Sequence, residues 1–289
     1  MAKKDIDHIT GTETTGHVWD GIKELNTPLP RWWLLTFYAC IIWAVGYMIL
    51  YPSIPLIKGS TAGLLGYSSR ADVAADIAAA KTAQSKYLDR VAEMSFAEIR
   101  KDPALFEFAV AGGAAAFKVN CVQCHGSGAQ GGPGYPNLND DDWLWGGKLE
   151  DIETTIRHGI RFASDDDTRV SEMPAFGADE VLETPQIRDA AEFVLKLSGQ
   201  KFDAAAAERG AAVFAENCVA CHGENGEGNR EAGGPSLRDA IWFYGGEKKQ
   251  IVAQITKPKH GVMPAWGHRL DNTTIKQLTL YVHSLGGGE

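Results

Sequence analysis

Cys121-Val122-Gln123-Cys124-His125 returns 97 residues later as Cys218-Val219-Ala220-Cys221-His222, and this repeated pentapeptide decides the fold. C-x-x-C-H is the attachment signature of a c-type haem. Its two cysteines form thioethers with the vinyl groups of one porphyrin, and its histidine becomes the proximal ligand of the iron. Four of the five cysteines of the chain lie in the two motifs. We therefore predict two covalently bound haem c groups, attached through Cys121 and Cys124 with His125 as ligand, and through Cys218 and Cys221 with His222 as ligand.

Two other uses of the motif fit the surroundings less well. Structural zinc sites usually place their two C-x-x-C pairs about 15–20 residues apart, far closer than here. A thioredoxin-like redox motif needs a βαβ context, and no strand-like alternation precedes either copy.

The repeat extends well beyond the pentapeptides, which indicates a duplicated domain. Gly113 and Phe117 lie eight and four residues before Cys121, as Gly210 and Phe214 do before Cys218. Further pairs follow at matching positions: Trp143–Gly147 with Trp242–Gly246, His158–Ile160 with His260–Val262, and Met173–Gly177 with Met263–Gly267. Units of this size with terminal helices, long Gly/Pro loops and almost no β-alternation predict an all-α fold that looks like class I cytochrome c. A covalent haem supplies the apolar core that so small a domain lacks.

The sixth iron ligands are predicted to be Met173 and Met263. Of the five methionines, the other three start the chain, lie in an apolar segment or lie in a spacer (Met1, Met48 and Met94). A thioether ligand raises the reduction potential of haem iron. Each methionine could bind the haem of its own unit or that of the other, and the 12-residue insertion Arg161–Glu172 occurs only in the first unit. The matched histidines His158 and His260 are alternative ligands.

A membrane anchor is predicted near the N-terminus. No charged residue occurs between Trp32 and Ile57, and the 19 residues Trp32–Leu50 nearly cross a hydrocarbon core of roughly 30 Å as a helix. Aromatic residues lie near both ends of the segment, and the acidic leader is unlike a signal peptide. Lys3, Lys4, Lys23 and Arg31 precede the span, so we expect a cytoplasmic N-terminus and periplasmic haem domains.

These features predict five segments in chain order. They are a cytoplasmic leader (1–30), a transmembrane helix (31–51), a linker with a helical spacer (52–101), a first cytochrome c domain (102–200) and a second (201–289). In the spacer, Ser95 to Glu98 matches a capping box. The net charge of −9 argues against nucleic acid as a partner, and the segment 102–200 alone holds 17 acidic and 7 basic residues.

The whole arrangement, including the leader residues Trp19–Ile22 and Pro28–Trp33, is similar to the CcoP/FixP family, the diheme subunit III of cbb3-type cytochrome c oxidase. The resemblance implies an electron-transfer subunit with no catalysis of its own, in the bacterial inner membrane. It would take electrons from a donor cytochrome c and pass them to the monohaem subunit and then to the haem–copper subunit. Resemblance to class I cytochromes further implies that Pro136 and Pro235 present their carbonyls to the proximal histidines, with Pro133 as a rival in the first unit.

Two other functions remain open at this stage. A free-standing diheme enzyme such as a thiosulfate dehydrogenase or peroxidase would need a haem with an open iron position, whereas each unit offers a methionine. The second alternative function is that of a membrane-anchored diheme electron carrier that serves a dehydrogenase. The triplets Asp140–Asp142 and Asp165–Asp167 also suggest that the first domain steers a basic donor.

Overall fold

The computed structural model describes residues 5–289, and the regular secondary structure of this part of the chain consists of helices and two short hairpins, with long loops between the helices. The first four residues of the predicted leader, including Lys3 and Lys4, lie outside the described residues. The chain divides after Thr82 into two compact units. The strands are β1 (Thr14–Trp19), β2 (Ile22–Leu25), β3 (Pro55–Leu56) and β4 (Gly59–Ser60). The helices are α1 (Arg31–Leu50), α2 (Ser69–Glu93), α3 (Phe96–Lys101), α4 (Pro103–Asn120), α5 (Val122–His125), α6 (Leu149–His158), α7 (Thr184–Leu197), α8 (Ala204–Asn217), α9 (Val219–His222), α10 (Lys248–Thr256) and α11 (Asn272–His283).

The predicted leader contains an antiparallel hairpin in which β1 pairs with β2. Asp20 and Gly21 connect the strands, and both have a positive φ, 45° and 85°. Two adjacent residues with positive φ are the requirement of a type I′ turn, which Asp-Gly meets better than most dipeptides. The leader is therefore more ordered than its polar composition suggests.

Helix α1 has the length and composition of a membrane span. Its 20 residues have a mean hydropathy of 1.9, and none of them is buried within the protein. A helix that is apolar all round and covers no protein core is suited to a lipid environment. It ends at Leu50, two residues before Pro52.

The spacer ends inside the haem-bearing unit. Ser95 accepts a hydrogen bond from the Glu98 backbone while the Glu98 carboxylate accepts one from the Ser95 N–H, so the predicted capping box at the start of α3 is confirmed. Val91 and Ile99 are fully buried, in one cluster with Leu105 and Leu280. This end of the spacer is therefore part of a packed core.

Two helical bundles form the rest of the second unit. The first bundle consists of α4, α6 and α11, and the second bundle consists of α7, α8 and α10. Glycine permits the closest helix contact in each: a Cβ at Gly113 on α4 would lie 2.1 Å from the Gln277 carbonyl oxygen of α11. A Cβ at Gly210 on α8 would lie 2.0 Å from the Asp189 carbonyl oxygen of α7. These matched glycines let the helix that precedes each C-x-x-C-H motif approach a closing helix at close range.

The bundles exchange their closing helices. Helix α7 belongs to the first sequence repeat but packs against α8 and α10 of the second. Helix α11 closes the second repeat but packs against α4 and α6 of the first. The predicted segments 102–200 and 201–289 follow one another along the chain, whereas each packed bundle takes helices from both.

Candidate haem-binding site

Each C-x-x-C-H motif begins where a long helix ends. Cys121 is the C-cap of α4, and the following helical turn α5 ends at Gly126, whose φ is 81°. The backbone N–H groups of Cys124 and His125 both donate to the Cys121 carbonyl, at 3.2 and 3.0 Å. The corresponding bonds to the Cys218 carbonyl are 3.2 and 2.9 Å long. One tight turn thus places both thiols and the imidazole of each motif on the same helical face.

A proline carbonyl holds each proximal imidazole. The Nδ1 atom of His125 lies 3.2 Å from the Pro136 carbonyl oxygen, and that of His222 lies 2.9 Å from the Pro235 carbonyl oxygen. Because a carbonyl oxygen only accepts, Nδ1 must carry the proton, which leaves the Nε2 lone pair free to bind a metal. Pro136, rather than Pro133, supplies the carbonyl in the first motif.

Burial favours the uncharged form of the first cysteine and of the histidine in each motif. It lowers the pKa of His125 and of His222, against the smaller opposing effect of the proline carbonyls. Burial, aided by the neighbouring thiol, raises the pKa of Cys121 and of Cys218 to about 11. A neutral imidazole suits iron ligation, whereas such thiols would supply little thiolate for zinc binding or disulfide exchange.

The two methionines lie opposite the motifs of the other repeat. Met263 packs into the cluster that contains Cys121, Val122 and Leu138, whereas Met173 packs into the cluster that contains Cys218 and Val219. Each methionine therefore shares a hydrophobic cluster with residues of the C-x-x-C-H motif that belongs to the other half of the sequence.

Backbone hydrogen bonds fix both methionine segments on the opposite repeat. Met263 and Ile160 exchange two bonds, of 2.9 and 3.0 Å, and the Gly267 N–H donates to the Arg157 carbonyl of α6 at 2.9 Å. On the other side, the N–H groups of Gly177 and Ala178 donate to the Thr256 carbonyl of α10, at 3.2 and 2.9 Å. Each chain segment therefore already lies on the opposite repeat at its methionine, before the closing helix starts.

One continuous cavity joins these groups. Its wall includes both pairs of cysteines, both proximal histidines and both methionines, and the rest is mainly apolar and aromatic. The aromatic residues that the sequence repeat singles out all line it: Trp143, Trp145, Trp242 and Tyr244. The two sequence repeats also contact each other along this wall, where the Gly134 N–H donates to the Phe243 carbonyl at 2.7 Å.

This donor set fits haem c. Paired thiols, a neutral imidazole with its second nitrogen fixed, and a thioether in an apolar cavity are the groups that a six-coordinate c-type haem requires. The four motif cysteines do not form one centre, since Cys121 and Cys218 adjoin different core clusters. Among the described residues, the one group of three or more candidate metal ligands from His, Cys, Asp and Glu is His158, Asp165 and Asp167.

The alternative ligand histidines have other surroundings. Nδ1 of His158 lies 3.1 Å from an oxygen of Asp165, whose second oxygen lies 3.0 Å from Nε2 of His268. Burial raises the pKa of Asp165, but its hydrogen bonds with His158, the Asp167 N–H and His268 outweigh this and leave the pKa below its ordinary value. His260 lines the cavity beside the Met263 segment.

Sequence reasoning missed two features of this region. Asp165 is buried between two histidines rather than freely solvated, which removes it from the acidic surface that the sequence suggests. Arg161, the first residue of the insertion, lines the cavity. The sequence feature that could have indicated Arg161 is its position at the start of the insertion that the other repeat lacks.

Two helical bundles exchange their closing helices and present C-x-x-C-H motifs and methionines to one apolar cavity. These features define a c-type cytochrome. The family model for the N-terminal domain of cytochrome oxidase-cbb3, FixP, matches residues 11–58. The model for cytochrome c oxidase, cbb3-type, subunit III matches residues 108–194 and again 205–282. The chain belongs to this family of cbb3-type oxidase subunits, as the resemblance predicted.

Curated relatives match over nearly the full length. A cbb3-type cytochrome c oxidase subunit FixPc from Rhizobium leguminosarum bv. viciae is 56% identical over 288 residues, covering 100% of both chains. Subunit FixP of Sinorhizobium medicae is 55% identical, covering 99% of this chain and 98% of the relative. Subunit CcoP of Cereibacter sphaeroides is 54% identical, covering 96% and 95%. The chain is thus a haem c-binding, membrane-anchored electron-transfer component of a cbb3-type oxidase.

Proposed function

We propose that the chain binds two haem c groups and relays electrons between a donor cytochrome c and the other oxidase subunits. The observation that carries the proposal is the shared cavity, which joins both C-x-x-C-H motifs to both methionines. In this arrangement Cys121, Cys124 and His125 hold the first haem with Met263 as sixth ligand. Cys218, Cys221 and His222 hold the second, with Met173 as sixth ligand.

When bound, each haem supplies an iron that accepts and releases one electron. His125 with Met263, and His222 with Met173, would hold the two groups, and the apolar lining of the cavity would exclude water from them. Pro136 and Pro235 orient the imidazoles through their carbonyls. A histidine and a methionine offered to each haem would leave no iron position for a substrate, which argues against a free-standing peroxidase or thiosulfate dehydrogenase.

The proposed route runs from the donor cytochrome c through this subunit to the monohaem subunit, and then to the haem–copper subunit that reduces oxygen. We place the N-terminus in the cytoplasm and the haem bundles in the periplasm, since Lys23 and Arg31 precede α1 and covalent haem c is assembled outside the bacterial cytoplasm. Purification of the chain from membranes should recover haem b and copper with it. Recovery of the chain alone, with unchanged oxidase activity in its absence, would contradict the assignment.

The crossed ligation can be tested with one haem at a time. In a Cys121→Ser/Cys124→Ser variant only the second haem is attached, so Met173→His should convert its near-infrared magnetic circular dichroism from His–Met to His–His, whereas Met263→His should leave it unchanged. In the Cys218→Ser/Cys221→Ser variant only the first haem is attached. There Met263→His should convert the spectrum to His–His, whereas Met173→His should leave it unchanged. If each methionine instead altered the haem of its own repeat, the crossed assignment would be wrong.

We further propose that exposed acidic residues of the first repeat attract and orient a basic donor cytochrome c. Asp141, Asp166 and Asp167 are exposed, whereas Asp142 and Asp165 are at least half-buried, so the available charge is smaller than the two triplets suggest. The triple variant Asp141→Asn/Asp166→Asn/Asp167→Asn should lower the rate of electron transfer from a basic cytochrome c severalfold at low salt and flatten its salt dependence. The control Asp72→Asn/Asp76→Asn/Asp89→Asn removes the same charge from exposed positions of α2. Equal effects of the two triple variants would contradict steering by this surface.

A further inference from the structure

Arg161 holds the two methionine-bearing segments with one guanidinium group. Its Nε–H donates to the Gly261 carbonyl at 2.7 Å, and its Nη1–H donates to the Ser171 carbonyl at 2.7 Å. Gly261 lies two residues before Met263, and Ser171 lies two residues before Met173. The same side chain is therefore bonded at equivalent points of both segments.

The backbone of Arg161 is fixed as firmly as its side chain. The preceding residue Ile160 pairs with Met263, and the Arg161 N–H donates to the Arg169 carbonyl at 2.8 Å. Its φ is 53°, a left-handed conformation that a residue with a Cβ adopts only where its surroundings enforce it. These backbone contacts and the two hydrogen bonds of the side chain hold the guanidinium between the two methionine-bearing segments.

The guanidinium also brings a positive charge to the cavity wall. The formally charged residues of the wall are Arg161, Lys259 and Asp142, apart from histidines. No described carboxylate forms an ion pair with Arg161, and Nη2 has no acceptor among the described residues. Burial lowers the pKa of this guanidinium, against the smaller opposing effects of Tyr244 and Glu172. An arginine side chain nevertheless stays charged in proteins.

We propose that Arg161 is a positioning residue shared by the two haem sites, which fixes both distal methionines and raises both reduction potentials through its charge. The inference rests on the proposed crossed ligation. A positive charge beside a haem favours the ferrous state, because oxidation adds another positive charge nearby. Arginine suits the role because its planar fork binds two acceptors at once, which a lysine ammonium on a flexible stem does less well. The second repeat has no counterpart of this residue, so one side chain serves two sites.

The test compares Arg161→Gln, Arg161→Lys and wild type by redox titration and near-infrared magnetic circular dichroism of the haem-loaded, full-length chain. Arg161→Gln should lower both midpoint potentials. For the loss of one partly buried charge we expect the ferrous-to-ferric ratio at a given potential to fall about tenfold. A tenfold change equals about 59 mV for a one-electron couple. Arg161→Lys keeps the charge and should restore most of both potentials, while its single nitrogen holds the segments less firmly and broadens the methionine bands.

Arg209→Gln is the matched control. Arg209 also bonds across the repeats, donating to the Asp189 carboxylate from Nε and Nη2 at 2.7 Å each, but it does not line the cavity. Its substitution should leave both potentials in place. A shift confined to one haem, or no shift in Arg161→Gln, would overturn the inference, as would a failure of Arg161→Lys to restore the potentials. The wild-type spectrum tests the proposed function separately, since it reports whether two His–Met haems are present.

Discussion

Asp142 shows how the cavity acts on a single residue. Its carboxylate lies in the cavity wall, where burial, together with nearby Asp239 and Asp140, raises its pKa to about 6 from an ordinary value near 3.8. The ionised form is thus disfavoured in the folded chain. The unfolded chain loses this proton near pH 4 and the folded chain near pH 6, so the contribution of Asp142 to folding stability is greatest below pH 4 and is lost as the pH rises through 6.

We predict that Asp142→Asn stabilises the haem-loaded chain at neutral pH. Two units of pKa correspond to at most about 3 kcal/mol, which partial exposure to solvent reduces to about 1–2 kcal/mol. The gain in thermal stability should be present at pH 7 and absent at pH 4. Asp141→Asn removes the same charge from the exposed neighbouring side chain and should change the stability by less than about 0.5 kcal/mol at either pH. A gain that is equal at both pH values would show that ionisation of Asp142 is not its cause.

At the scale of single elements, the repeat predicted the helices but not their partners. The matched glycines Gly113 and Gly210 indicated the duplication, but not that helices approach closely there, whereas the resemblance to class I cytochromes indicated the contact between the downstream proline and the proximal histidine. The closing helices α7 and α11 both present an apolar face, with Ala190 and Val194 on one and Ile275 and Leu278 on the other. Because either face can fill either bundle, the choice depends on loop paths that the periodicity does not specify. The hairpin β1–β2 was predictable in principle from Asp20-Gly21, but the polar composition of the leader obscured it.

Gly159 provides a test of the exchanged packing. Its φ is 68°, and an added Cβ would lie 2.2 Å from the Met263 carbonyl oxygen. Gly159→Ala should therefore push the Met263 segment away from α6 and weaken the methionine band of the haem at Cys121 and Cys124, leaving the other haem largely unchanged. The loss of stability should exceed the roughly 1–2 kcal/mol of backbone strain alone.

The control for this substitution is Gly199→Ala. Gly199 has nearly the same φ, 70°, but an added Cβ would meet nothing within 4 Å. It should lose stability through strain alone and keep both methionine bands. If the two variants have the same spectrum and stability, the close approach of Gly159 to the Met263 segment is not what holds that ligand.

At the scale of the whole molecule, the exchange makes the two haem bundles mutually dependent. Residues 200–203, between α7 and α8, are exposed and offer a place to cut the chain without entering either bundle. We predict that a specific protease site inserted there can be cleaved while the two fragments stay associated, because α7 remains packed on α8 and α11 on α4. Haem staining after denaturing electrophoresis should show two fragments, whereas native size-exclusion chromatography should show one species. Separation of the fragments under native conditions would indicate independent domains.

The exchange of the closing helices also sets an order of assembly during synthesis. Under the proposed crossed ligation, the first haem site lacks its sixth ligand until nearly the whole chain has emerged, because Met263 is made 138 residues after His125. At about 5–20 residues per second this interval lasts several seconds or longer. Long-range contacts of this kind also slow folding. A nascent chain interrupted after the first motif would thus carry an iron exposed to oxygen and peroxide, and quality control of the first haem must wait for the end of the second repeat.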